Sequence, residues 1–394
     1  MQQSTHKSRS LTHMMTNDAN SDETDLEIIV GTYEDYVVGY QVESIVKNTQ
    51  EAPRKKLKNG HVGQSSEKLS AQKKTKQTSA SIELLDLEQS FAVRCHSGMV
   101  RCLAASSSGR LVFSAGNDEM MNLFNLNKRK LLQTSEGSVS CAQFVGKSHL
   151  ICGLDDGDIH IYECKGSNMI LAKTLKGHTA GVVSMDAHPS GKVLLSVSKD
   201  HTVRTWNLIK GRCAYVTQIK AESQLVKWSR TGSEFLIAAN NEIYLYNNSG
   251  NLRQRIKLGK RVNSIEFITN DIFAVAIDSG RLEFFNMSLD ECSSVMTLEA
   301  HGTRIKSIKC LNDPDGDSGN SDDDNETTPK QKSTKTTTAT NIRFATAASD
   351  GTIKVWSITR LRDTLKDPRE LVMVDSGARI TCMIVSKRIM SRSE

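Results

Sequence analysis

Over most of this chain, apolar and polar residues alternate with a period of two in short runs, separated by turn-forming Gly, Asp, Asn and Ser. That period sets successive side chains on opposite faces of a strand and predicts β-structure rather than helix. The runs also recur in a fixed order. The clearest unit starts at Gly177-His178 and continues through HPSGKVLLSVSKDHTVRTWNL at 188–208, with 22 residues from His178 to Asp200 and six from Asp200 to Trp206. The same two steps separate His96, Asp118 and Phe124. A fixed period built from short strands predicts stacked four-stranded units rather than an isolated motif.

The unit serves as a ruler. Asp118 precedes Phe124 by six residues, Asp156 precedes Tyr162, Asp200 precedes Trp206, Asn240 precedes Tyr246 and Asp350 precedes Trp356; Asp278 is followed more loosely by Phe284-Phe285. An aromatic at this point in every unit is expected to fill the wedge between neighbouring sheets. First strands read apolar, polar, small, as in Val100-Arg101-Cys102, Val139-Ser140-Cys141, Ile305-Lys306-Ser307 and Ile380-Thr381-Cys382. Small residues suit strands that converge on a common axis. His301 to Asp350 spans 49 residues, 27 more than the ruler allows, and the excess falls in 312–341, a tract with almost no apolar residue. It is read as a long disordered loop between the first and second strands of a sixth unit.

Three pieces remain. Residues 27–42 (EIIVGTYEDYVVGYQV) read as a second and third strand, 82–88 (IELLDLE) as a fourth, and 379–385 (RITCMIV) as a first. Combined, they predict a seventh sheet drawn from both chain ends, with 43–81 as an insertion. The expected fold is all-β: a seven-bladed WD40 β-propeller over 27–386, closed by pairing of N- and C-terminal strands, after a disordered segment 1–26 and before a short tail 387–394. Such closure removes a long exposed sheet edge.

Composition narrows the setting. The chain has 394 residues, 38% hydrophobic and 24% charged, and no run near the roughly 20 apolar residues that span a bilayer. Residues 1–26 lack the apolar core of a secretory signal. A nuclear or cytosolic location and no membrane partner are expected. Nine cysteines show no CxxC spacing, and Cys102, Cys141, Cys310 and Cys382 lie in apolar strands, where a reduced thiol behaves as a small hydrophobe. No metal, cofactor or small-molecule substrate is expected.

The net charge of +6 is uneven: 43–81 holds nine Lys/Arg against three Glu, and 312–341 seven Asp/Glu against three Lys. PRKKLK at 53–58 and KKTK at 73–76 make Arg54, Lys55, Lys56, Lys58, Lys73, Lys74 and Lys76 candidates for nuclear import or RNA contact, because clustered cations bind phosphate backbones by counterion release. The alternative is a solvated lysine-rich loop, since no aromatics interleave for base stacking. Ser21 and Ser321 precede acidic residues and are candidate phosphorylation sites, each modification adding about −2 in charge.

One set of residues resembles hydrolytic chemistry. His178, Ser196, Asp200 and Trp206 contain a Ser-His-Asp trio; His96, Ser114 and Asp118 repeat it, and His301, Thr346, Asp350 and Trp356 repeat it with threonine. A hydrolase needs one such trio beside an oxyanion hole. Three at fixed spacing predict a structural hydrogen-bond network that ties the loop before each unit to its central turn. Neither GxxxxGK nor GxGxxG occurs, so no catalytic residue and no enzyme activity are expected.

Beyond the repeat chemistry, the sequence resembles the WD-repeat family of p21-activated protein kinase-interacting protein 1 and its fungal large-ribosomal-subunit assembly counterparts. The resemblance begins at IIVGTYEDYVVGYQV, is strongest through HPSGKVLLSVSKDHTVRTWNLIKGRCAY at 188–215, and continues through Lys260-Arg261-Val262, Arg304-Ile305-Lys306, Ser349-Asp350-Gly351 and Ala378-Arg379-Ile380. It covers 27–42 and roughly 82–385; the acidic insertion is a departure. The resemblance implies a nucleolar scaffold for large (60S) subunit assembly, with pre-60S assembly proteins and pre-rRNA as partners. In animals it also implies a negative regulator that binds p21-activated kinase. A ubiquitin-ligase substrate receptor would carry Trp-Asp-x-Arg after the third strand, but Trp206 is followed by Asn-Leu-Ile and Trp356 by Ser-Ile-Thr.

Overall fold

The structure, a computed structural model, describes residues 24–46, 83–219, 222–288, 291–312, 315, 339–362 and 364–389. Within them, seven four-stranded antiparallel sheets follow one another around an axis. Strands are lettered a to d from the axis outward. The a strands of blades 1 to 6 are Val100–Ala105, Val139–Val145, Val182–Ala187, Ser223–Trp228, Val262–Phe267 and Ile305–Cys310. Blade 7 is composite: Ile380–Ile389 is strand a, Thr24–Thr32 strand b, Tyr36–Val46 strand c and Glu83–Arg94 strand d. Its register sets Ile28 opposite Val385 and Val30 opposite Met383. Strand a of blade 7 packs between those of blades 6 and 1, so the ring closes through the two chain ends.

The ladders run further than the apolar pattern suggests. Strand b of blade 7 begins at Thr24 rather than 27, strand c continues to Val46, strand d to Arg94, and strand a to Ile389, three residues into the expected tail. Strand b of blade 6 starts at Thr340, inside the tract read as a loop. Backbone pairing needs no apolar side chain, so a ladder extends through polar residues wherever a partner strand continues beside it.

The core is divided rather than single. Seven clusters of buried apolar residues each straddle two neighbouring blades. In the wedge between blades 2 and 3, for example, Ile151, Ile159 and Leu175 meet Val182, Leu194 and Trp206. Blades are therefore held by the burial they share, and the wedge aromatics are central to it.

A bulge aims each of those aromatics. The c–d register shifts immediately before Tyr40, Phe124, Tyr162, Trp206, Tyr246, Phe285 and Trp356. An extra residue there turns the following side chain into the wedge. This resolves the loose fifth unit: Phe285 takes the aromatic position, Ser279 stands where blades 1, 2, 3 and 6 carry Asp, and Asp278 moves one place away to pair with Arg304 at 2.8 Å. Gly177, just before His178, sits too close to its neighbours to carry a side chain. A Cβ there would lie 3.1 Å from the edge of the Trp206 ring and 2.6 Å from the Arg204 guanidinium.

Candidate interaction surface

The His-Ser-Asp sets have the connectivity of a hydrolytic triad. His178 Nε2 lies 2.7 Å from Ser196 Oγ, and its Nδ1 lies 2.9 Å from Asp200 Oδ2. Burial decides their role. Ser196 is wholly buried, and its oxygen also accepts a hydrogen bond from Trp206 Nε1 at 2.8 Å. Trp206 N–H donates to Ser196, Ser196 O–H to His178 Nε2, and His178 Nδ1–H to Asp200, so every polar atom is satisfied and none faces a substrate. Burial lowers the His178 pKa and keeps its ring neutral. Burial pushes the Asp200 carboxyl up, but hydrogen bonds from Thr202, His178 and the Thr179 N–H outweigh it and hold the group well below the usual carboxylate range.

Blade 6 builds a variant. His301 Nε2 meets Thr346 Oγ1 at 2.8 Å, which accepts from Trp356 Nε1 at 2.9 Å. His301 Nδ1 bonds Thr352 Oγ1 at 2.9 Å rather than Asp350, and Thr352 passes the bond to Asp350 at 2.7 Å. Burial, and then the nearby Lys354 cation, push His301 down to about 4. Thr202 plays the same part in blade 3, at 3.1 Å from His178 and 2.6 Å from Asp200. These two threonines, each two residues after the aspartate, escaped the sequence reading, though the Asp-x-Thr spacing could have revealed them. Blade 1 is thinner: His96 reaches Ser114 at 2.8 Å and Asp118 at 3.0 Å, while Met120 replaces the threonine and Phe124 offers no N–H.

Two wedges whose aromatic is not tryptophan stay partly open. A cavity of about 400 Å³ lies between blades 7 and 1, lined by Val37, Phe91, Phe124, Leu126 and Leu131 among others. Another of about 500 Å³ lies between blades 3 and 4, lined by Leu195, Tyr215, Trp228, Phe235 and Tyr246.

The axis carries charge that the repeat pattern hid. The fifth residue of strand a is Ala104, Gln143, Asp186, Lys227, Glu266, Lys309 and Ile384 in blades 1 to 7. Asp186 accepts from Gln143 Nε2 at 2.9 Å and from the Trp228 N–H at 2.7 Å. Glu266 pairs with Lys227 at 3.4 Å and Lys309 at 3.2 Å. Burial alone would push Glu266 up, but the two lysines hold it below its ordinary value. Opposite charges thus alternate over four consecutive blades and stitch neighbours together across the channel.

Of the other predicted positions, Ser21, Ser321 and the cations Arg54, Lys55, Lys56, Lys58, Lys73, Lys74 and Lys76 lie outside the described residues. Among the described residues no cluster of His, Cys, Asp and Glu has metal-binding geometry.

Residues 87–125, 170–207 and 292–357 match the family described as "WD domain, G-beta repeat". The chain is 30% identical over 303 residues to "p21-activated protein kinase-interacting protein 1-like" of Danio rerio, covering 76% of this chain and 73% of the relative. It is 24% identical over 340 residues to "Protein MAK11" of Saccharomyces cerevisiae, covering 74% and 73%. A chain in the crystal structure of a mitotic checkpoint complex shares the fold, with TM-score 0.55 at 18% identity over 69% of this chain and 78% of that one.

Proposed function

The chain belongs to the WD-repeat family of the p21-activated protein kinase-interacting proteins, and from that membership we propose that it is a non-enzymatic scaffold for large (60S) ribosomal subunit assembly, acting in the nucleolus during pre-rRNA maturation. The observation that carries this reading is that one ring accounts for both the animal and the fungal relatives, each over about three quarters of the chain. The construction of the ring supports it. The residues with triad connectivity are consumed in holding loops to turns, which leaves the two faces and the rim for partners. A rigid ring is suited to holding several pre-60S proteins and pre-rRNA at once.

The test is depletion followed by measurement of rRNA precursors. Large-subunit precursors are expected to accumulate while small-subunit precursors stay at their normal level; unchanged large-subunit processing refutes the proposal. The names of the animal relatives favour a second reading, in which the ring binds the regulatory segment of a p21-activated kinase and restrains it. Capture of that segment by the purified chain at micromolar concentration supports it, and failure to capture it removes it.

A further inference from the structure

Arginine occupies the same structural position in three consecutive blades. The residue just before strand a is Met99, Ser138, Gly181 and Glu222 in blades 1 to 4, but Arg261, Arg304 and Arg379 in blades 5, 6 and 7. All three arginines are exposed at the channel mouth, on the face formed by the d–a loops and b–c turns. Lys306, the second residue of strand a in blade 6, sits among them, half-buried. Beside it, in blade 5, the Asn263 amide is a buried donor with no partner among the described residues. Asn263 and Lys306 both line a channel cavity of about 250 Å³.

The fold neutralises only part of this charge. Arg304 pairs with Asp278 at 2.8 Å. Arg261 Nε donates to the neutral Gln224 side chain at 3.2 Å. Arg379 lies over the Tyr33 ring at 4.7 Å, and the nearby Glu34 carboxylate accepts the Arg379 backbone N–H rather than its guanidinium. Among the described residues Lys306 has no carboxylate within salt-bridge distance; burial, and then the Arg304 and Arg379 charges, lower its pKa. The contrast is Arg101 of blade 1, one step from the arc on the same rim. Its guanidinium is bound twice by Asp155, at 2.6 and 2.9 Å, and it holds that carboxyl down to about 2. Arg101 is cement, whereas the arc over blades 5 to 7 carries excess positive charge facing solvent.

We propose that Arg261, Arg304, Lys306 and Arg379 form a binding arc for single-stranded RNA, with the phosphates on the cations and a base stacked at Tyr33. The site rests on the ribosome-assembly reading and names its contact surface. Tyr33 is 51% exposed, with Arg379 against it, so an open aromatic stands at the end of a line of cations. Bases stack on such rings and on guanidinium planes, which favours RNA over an acidic peptide that would use the charges alone.

The test is fluorescence anisotropy of a labelled oligouridylate of about 12 nucleotides, titrated with the full chain. It is run in the natural sequence and in a background where Arg54, Lys55, Lys56, Lys58, Lys73, Lys74 and Lys76 are changed to serine. The triple change Arg261→Gln, Arg304→Gln, Arg379→Gln is expected to weaken binding tenfold or more. It should also flatten the slope of log affinity against log salt by about 2, from roughly 0.7 per phosphate contact on a single strand. Tyr33→Ala is expected to weaken binding at least fivefold with the slope unchanged. Because these side chains are exposed, an unaltered thermal melt shows that the ring is intact. Affinity and slope equal to the parent overturn the proposal. So does equal competition by a polyglutamate peptide together with silence of Tyr33→Ala, which would assign the arc to an acidic protein. If depletion disturbs large-subunit precursors while the triple variant binds RNA like the parent, this site falls and the assembly role stands. RNA binding lost in the triple variant, with precursors undisturbed by depletion, supports the site and sinks the assembly role.

Discussion

The wedge between blades 2 and 3 and the wedge between blades 7 and 1 are built to one plan and finished differently. In the first, Trp206 is wholly buried, fills the gap and donates its indole N–H to Ser196, completing a four-membered network with His178 and Asp200. In the second, Phe124 holds the same position half-buried; its ring is smaller and has no N–H, and a cavity of about 400 Å³ remains. His96, Ser114 and Asp118 still meet, so the loop is tied to the turn but the wedge is not closed. The hydrogen-bonded part of the repeat and its space-filling part are therefore separable. The first can survive where the second has lapsed, and the lapsed wedge lies at the seam where the two chain ends join.

Truncating the two aromatics gives the largest expected difference. Trp206→Ala should cost about 3–5 kcal/mol, since it opens a cavity in a packed wedge and removes a donor from a buried hydroxyl. Phe124→Ala should cost less than half of that, because its wedge is already open. Chemical denaturation of both variants measures the gap, and equal losses would mean that the wedges do not differ energetically. Acid should come next, through the completed networks. His301 titrates at about 4 in the fold against about 6.5 when unfolded, so the unfolded chain binds the extra proton. The contribution is complete above pH 6.5 and is lost as pH falls from there towards 4, and the lowered His178 acts in the same direction. Melting temperature should drop over that window, and the drop should be shallower in His301→Asn; identical pH profiles would refute this. The smallest effect is a gain. Phe124→Trp installs in blade 1 the residue used by blades 3 and 6, with Ser114 as a waiting acceptor, and should stabilise by about 0.5–2 kcal/mol. A loss of stability would show that the seam cannot accept the larger ring.

Much of this architecture was legible because the repeat supplies its own controls. The steps of 22 and six residues located His96, His178 and their aspartates, and the surplus of 27 placed the long insertion in blade 6. The orphan strands at both ends had no partner except each other. Register within a blade was less legible. Blade 5 has Ser279 where blade 3 has Asp200, so the aspartate that remains, Asp278, sits seven rather than six before Phe285, and only the bulge shows which phenylalanine enters the wedge. Thr202 and Thr352 were missed because a threonine in a strand looks ordinary until its hydroxyl is found between a histidine and an aspartate. The alternating charges of Asp186, Lys227, Glu266 and Lys309 were missed for a related reason. Each is one polar residue among others in its own strand, and they form a set only when four blades place them around one axis.

By itself, then, the sequence determined what each blade is: period-two strands and a wedge aromatic, with a His-Ser/Thr-Asp set in blades 1, 3 and 6, in a chain whose ends must pair. These are local properties, governed by residues within one repeat or by apolar faces that have to be covered. Only the tertiary structure decided what lies between blades: which wedges close, which charges neutralise one another across the channel, and which do not. Arg101 and Arg379 look alike in sequence, each at the start of an inner strand. One is spent on Asp155 of the next blade, while the other rests on the Tyr33 ring in an arc of arginines facing solvent. That difference comes from neighbours many residues away in the chain, brought within hydrogen-bonding distance by closure of the ring.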